Sequence, residues 1–283
     1  MGALTIMKMD IRRLIRSPKL YLLICFTLFF FIDYARDLKL YVEGMGIGIA
    51  PYIYTMFYGS WMTRIFSVMI IAALMSDAPY TDKCQKYTYI RSGNGRWLLG
   101  KILYVFSVSF LYQMVMFVVS VLALLPDISL TWEWGDALWN VAAQNSSAQI
   151  SLGDAGSAWT IVQNYRPVVA LLITFVLASL VSATIGMFVF LVNGITRTML
   201  GTILALIIST ADLFISVMNG AGIRIQFPLV TSWMDLSRIY VHAGQAGAQP
   251  FWEVVCIMLA FCVAAAVVLY QALRLKRIDI ARE

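Results

Sequence analysis

The chain has 283 residues, 61% of them hydrophobic and 13% charged, with a mean hydropathy of +0.80. Soluble domains are nearer half apolar and a quarter charged, so a soluble globular fold is ruled out, and long unbroken apolar runs rule out a barrel, which needs short segments of alternating polarity. The net charge of +6 is read as helix orientation and attraction to anionic lipid, not as nucleic-acid binding.

The expected fold is an all-α polytopic membrane protein with about six transmembrane helices behind an N-terminal amphipathic helix. Residues 1–19 form the first unit. Met7, Ile11, Leu14 and Ile15 share one helical face, and Lys8, Arg12 and Arg16 lie away from it, which suits the inner membrane surface. Pro18 breaks the direction. No cleavable signal peptide is expected, because Met1 to Lys19 lacks an apolar core and a small-residue cleavage site.

Residues 20–283 form the membrane domain. Its expected spans are Leu20–Tyr34, Met56–Ser76, Leu98–Leu125, Val168–Val192, Thr198–Met218 and Phe251–Leu273, most near the twenty residues that a hydrocarbon core requires. Lys and Arg set the orientation. Lys8, Arg12, Arg13, Arg16 and Lys19 fall on one side with the loop at 77–101, with Arg197 and with the tail at 274–283; the other side is poor in cations and carries most of the acids. By the positive-inside rule both termini are expected to be cytoplasmic, and the expected membrane is the plasma (inner) membrane. Two outer segments are long. Residues 126–167 hold Trp132, Trp134, Trp139 and Trp159, residues suited to the headgroup layer. Residues 219–250 are Gly-rich, as a segment re-entering protein-lined depth would be.

No catalytic, cofactor-binding or metal residues are assigned. Gly95-Arg-Trp-Leu-Leu-Gly100-Lys101 matches most of a phosphate-loop pattern, but Ile102 stands where Ser or Thr should bind magnesium, and the stretch opens a membrane helix. His242 is the single histidine, too little for a metal site or a triad. The four cysteines form no C-x-x-C pair and are expected to be reduced. Ala178, Ser182 and Gly186 recur every fourth residue, the spacing that lets membrane helices approach closely. Arg64 and Asp212 lie inside apolar spans, where an ionised group costs about 3 kcal/mol and faces a bundle interior or a water path. Thirteen residues before Asp77, Arg64 falls roughly 20 Å from the cytoplasmic end, level with Asp212 and with Asp33, the residue read as ending the first span. The expectation is that Arg64 pairs with one of the two.

The order of these features resembles the permease subunits of type-two ATP-binding-cassette (ABC) exporters. The basic helix running into Ser17-Pro18-Lys19 is similar to that family's elbow helix. Ser76-Asp77-Ala78-Pro79-Tyr80-Thr81-Asp82-Lys83, Tyr89-Ile90-Arg91-Ser92 and Gly95–Lys101 resemble its coupling segment. Phe227-Pro228-Leu229 with Ser232-Trp233 resembles its outer re-entrant region. The resemblance implies a non-enzymatic transport subunit working with a second permease and separate cytoplasmic ATPases, which would carry the ATP and magnesium. Asp77, Pro79, Tyr80, Asp82, Tyr87, Tyr89 and Arg91 would contact the ATPase, and the cargo would be an amphipathic or hydrophobic peptide, drug or lipid-linked molecule. Residue chemistry alone leaves two rivals: an ion-coupled secondary transporter using Arg64 and Asp212, and a non-pumping immunity or sensor protein.

Overall fold

The computed structural model describes residues 2–77, 83–143, 156–220, 229–241 and 249–275. Pro79, Tyr80, Asp82, the Phe227-Pro228 pair, His242 and the tail beyond Leu275 lie outside them, as does the side chain of Asp212. Over the described residues the chain is almost entirely helical.

Helix α1, Ala3–Arg16, buries Ile6 and Asp10 one turn apart and keeps Arg13 and Arg16 in its last turn, where cations meet the partial negative charge of a helix end. A proline disfavours helical geometry in the residue before it. Ser17 is accordingly extended, at φ −79° and ψ 129°, and Pro18 opens α2, Pro18–Met45, at a position whose missing N–H would have no partner anyway.

Helix α2 corrects the expected first span. It continues eleven residues beyond Tyr34, because Phe31, Ala35, Leu38 and Val42 carry one buried stripe through the charged stretch. Asp33, Arg36 and Asp37 lie off that stripe and are exposed. At 1.5 Å per residue the helix is about 42 Å long, well beyond a hydrocarbon core of about 30 Å. Gly46, left-handed at φ +66°, ends it, as glycine commonly does.

The second expected span is two helices, α3 (Ile53–Phe57) and α4 (Trp61–Met75). Ser60 caps α4 by accepting from the Met62 N–H at 3.3 Å, a typical helix-start chemistry. Gly59 is required at the break: a Cβ there would stand 2.5 Å from Ser157 Oγ.

The expected cytoplasmic loop 77–101 contains a further helix, α5 (Lys83–Ser92), and the first turns of α6 (Asn94–Ala123). Residues 126–167 are likewise more than a loop. They form α7 (Gly135–Ala143) and α8 (Ser157–Asn164). There Trp134 is buried and donates to the Tyr165 carbonyl at 3.0 Å, and Trp139 meets Trp159 edge-on at 5.6 Å. Trp134 is thus a core residue of a folded cap, while Trp132 is 84% exposed.

Helices α9 (Pro167–Thr196), α10 (Leu200–Gly220) and α11 (Phe251–Arg274) complete the bundle. Helix α9 is its axis, with α4, α6, α10 and α11 all packed on it. Ala178, Ser182 and Gly186 are buried there, and a Cβ on Gly186 would stand 2.8 Å from Val105, so the small residues do set a close approach. Between α10 and α11 run two 3-10 turns, Val230–Met234 and Leu236–Arg238, and a parallel pair of two-residue strands, β1 (Ile239–Tyr240) and β2 (Gln249–Pro250). Helices α2, α6, α9 and α11 are long and apolar enough to cross a membrane; α4 is apolar but only 15 residues long.

Candidate functional site: two buried charged clusters and a polar spine

The first cluster lies where α1, α5 and α6 meet. Asp10 and Lys101 are both buried, yet their carboxylate and ammonium face each other at 2.8 Å. The pair clips α1 onto α6 one residue from Gly100, where a Cβ would stand 2.8 Å from Ile6. Lys101 also lies over the Trp97 ring, 5.5 Å from its centre, a distance at which a cation is attracted to an aromatic face. Trp97 in turn receives Tyr89 of α5 edge-on at 5.7 Å and Phe190 of α9 at 6.4 Å. A second, more exposed pair joins Lys19 to Asp77 at 2.9 Å, with Lys19 also donating to Ser76 Oγ at 2.6 Å. The corner between α1 and α2 is thereby tied to the end of α4.

The residues proposed to meet an ATPase divide accordingly. Asp77 faces Lys19, Tyr89 faces inward onto Trp97, and Tyr87, 72% exposed, and Arg91 point outward. Pro79, Tyr80 and Asp82 lie outside the described residues. The phosphate-loop-like stretch from Gly95 to Lys101 is continuous α6, with Gly100 and Lys101 committed to α1. A phosphate loop would need free backbone N–H groups after a strand.

The second cluster lies at the break between α3 and α4. Interrupting a helix leaves carbonyls without partners. Thr63 donates to the Phe57 and Ser60 carbonyls, and Arg64 Nη1 donates to those of Tyr58 and Gly59 at 2.9 and 3.3 Å. Arg64 is fully buried, and its guanidinium lies 3.6 Å from the carboxylate of Asp235, itself 2% exposed. Asp235 Oδ1 accepts from the backbone and hydroxyl of Ser237, and Oδ2 lies 3.4 Å from Arg238. Of the two expected partners, Asp212 has its side chain outside the described residues. Asp33 is exposed on α2 and is not the partner. The described carboxylate at Arg64 is Asp235, brought in by the turns before α11.

A polar spine starts from Tyr58. Its hydroxyl and that of Tyr54 donate to Gln113 Oε1 at 2.6 and 2.9 Å, and Gln113 Nε2 donates to Ser182 Oγ of α9 at 2.8 Å. One residue away Tyr112 meets Ser67 of α4 at 3.2 Å. Above it, the Tyr165 hydroxyl donates to the Ile239 carbonyl at 2.7 Å, closing the cap over the turns. Burial raises the Tyr165 phenol above its usual pKa, opposed by a backbone hydrogen bond at Val241, so the hydroxyl remains a donor. Gln113→Leu should leave two buried tyrosine hydroxyls without their acceptor, at about 1–3 kcal/mol for each orphaned group. Thermal unfolding in detergent measures it, and an unchanged midpoint would mean that the hydroxyls re-pair.

Asp10, Lys101, Gln113 and Asp235 were not singled out as site residues by sequence. Asp10 had a visible signal: it sits four residues after Ile6, an acid on the apolar side of a basic helix. Gln113 is a lone amide within a long apolar run. Among the described residues no group of three His, Cys, Asp or Glu side chains is arranged for a metal ion. Searches against protein-family models, curated proteins and solved structures return no match.

Proposed function

We propose that the chain is the membrane-spanning permease subunit of an ATP-driven ABC exporter, with six spans, both termini cytoplasmic and α1 serving as the elbow helix at the plasma membrane. It works with a second permease and with separate ATPases that hold the ATP and magnesium, and it moves an amphipathic or hydrophobic cargo outward. The observation that carries this reading is the convergence of α1, α5 and α9 on two adjacent turns of α6. Trp97 receives Tyr89 and Phe190, and Lys101 receives Asp10. A force applied to α5 from the cytoplasm reaches α6 through Tyr89 and Trp97, α1 through the Lys101–Asp10 pair, and α4 through Lys19 and Asp77. Among the described side chains of α5, Tyr87, Ile90 and Arg91 are turned outward, and of these the aromatic and arginine side chains are the usual interface anchors. On the far side, Arg64 is held by two carbonyls and Asp235, which supports a structural role for this charge over an ion-coupling one.

The test uses the full chain together with a separate ABC ATPase that co-purifies with it. The pair in proteoliposomes should couple ATP hydrolysis to export, and Tyr87→Ala with Arg91→Ala should uncouple them. Loss of two interface anchors at about 1–2 kcal/mol each predicts roughly a thirtyfold fall or more in coupled transport, with the unfolding midpoint unchanged. ATP hydrolysis by the purified chain alone, or normal coupling in the double variant, would overturn the proposal.

A further inference from the structure

Two grooves run side by side along one face of the bundle, directly beside α1. The first, about 540 Å³, lies between α2 and α6 and is lined by residues such as Leu14, Leu23, Val115 and Val118. The second, about 640 Å³, lies between α6 and α9 and is lined by Phe106, Phe175, Val176 and others. Both include Ile11 and Leu111 in their walls. They are therefore two halves of one recess, divided by the ridge of α6 that carries Phe110, Leu111 and Met114, which are 50%, 48% and 44% exposed. The walls are almost wholly apolar. In the first groove the Thr27 hydroxyl is spent on the Leu23 carbonyl and that of Tyr112 on Ser67, so an occupant meets hydrocarbon.

Helix α1 supplies Ile11, Leu14 and Ile15 to the first groove and carries a charge stripe on the flank next to Ile15, away from the centre of that apolar face. Lys8, Arg12 and Arg16 recur every fourth residue, are all exposed, and pair with no acid among the described residues. The acid of α1, Asp10, is already committed to Lys101. A paired apolar recess beside a row of uncommitted cations is complementary to a molecule with two hydrocarbon chains and one anionic head.

We propose that this face holds one anionic diacyl phospholipid of the inner leaflet, an acyl chain on either side of the Phe110–Leu111 ridge and its phosphate at Arg12 and Arg16. The site rests on the reading of α1 as lying at the inner membrane surface, but not on the exporter function. A lipid there ties α1 to α2, α6 and α9 by filling the space between them. It would make the position of α1 sensitive to the anionic lipid content of the membrane.

Native mass spectrometry of the full chain tests it without ATPase or cargo. Protein released from mixed phosphatidylglycerol and phosphatidylcholine bilayers should retain one phosphatidylglycerol in preference to phosphatidylcholine. Arg12→Gln with Arg16→Gln should reduce that preference about tenfold to thirtyfold, from the worth of two basic side chains at an anionic surface. Val118→Trp and Val176→Trp, each at an exposed position lining one groove, should displace the lipid while leaving the charge stripe intact. Equal retention of both lipids by the unaltered chain, or retention unaffected by the arginine and tryptophan changes, would overturn the site. So would disulfide cross-linking of two chains through Phe110→Cys in the bilayer, since a second copy would then cover the recess. Failure of export with a retained lipid would count against the exporter reading alone.

Discussion

Arg64→Met should destabilise the folded chain by about 3–5 kcal/mol, the loss that follows when one partner of a buried ion pair is removed. Three consequences fall at one place. The carbonyls of Tyr58 and Gly59, freed by the helix break, lose the donor that satisfies them. Asp235, 2% exposed, loses the guanidinium at 3.6 Å and keeps Ser237 and the partly exposed Arg238. The unbranched methionine fills much of the volume but can donate nothing. Asp235→Asn should be milder, because the amide keeps an oxygen for Ser237. The double change Arg64→Met with Asp235→Asn should recover part of the loss, a positive coupling of the kind that double-mutant cycles isolate. Thermal unfolding in detergent reads all three. A single Arg64→Met within about 1 kcal/mol of the unaltered chain, well short of a buried-pair loss, would show that the guanidinium is not what holds the α3–α4 break.

The second large effect is expected at Asp10 and Lys101. Both side chains are almost inaccessible, at 6% and 2%, and their contact is 2.8 Å. Asp10→Ala leaves a buried ammonium and Lys101→Ala a buried carboxylate, again at about 3–5 kcal/mol. The loss should be local, since the pair joins α1 to a bundle whose other contacts do not pass through it. Hydrogen exchange should accelerate across residues 3–16 while α9 stays protected. Replacing both partners by apolar residues of similar volume, Asp10→Leu with Lys101→Met, should restore protection, because such swaps of buried ion pairs are often neutral or stabilising. Protection lost in the double variant as well would show that α1 needs the charges themselves. With an ATPase present the double variant separates attachment from switching. Normal coupling makes the pair a clip, and lost coupling with α1 still docked makes it a moving part.

Much of the helical layout was legible in sequence, and the misses have local causes. Asp33, Arg36 and Asp37 cluster around Tyr34 and mark an end to the first span in sequence; the stripe Phe31, Ala35, Leu38, Val42 shows that α2 continues with its charges turned outward. The break at Tyr58–Ser60 is masked in sequence by the apolar run around it, although Gly59-Ser60 before Trp61 has the composition of a helix start. Side-chain type alone suits the tryptophans of 126–167 to the lipid interface, whereas Trp134 serves the interior of the cap. For the candidate site, the burial of Arg64 and the turn at Pro18 are legible in sequence, but Asp235 as a carboxylate beside Arg64 is not.

The amino-acid sequence by itself determined that the chain is helical and suited to a membrane, where most of its long helices run, and that α1 is amphipathic and sharply redirected at Pro18. These depend on composition, on a 3.6-residue period and on proline geometry, all of which act over a few residues. Only the tertiary structure decided which buried charges meet. Asp10 and Lys101 are 91 residues apart, and Asp235 reaches Arg64 from turns between the last two helices. In an apolar interior a charge is stable only beside a partner, but that requirement says nothing about which one. The choice falls to tertiary packing: the close approach of α1 to α6 at Gly100 sets Asp10 against Lys101, and the turns before α11 set Asp235 against Arg64.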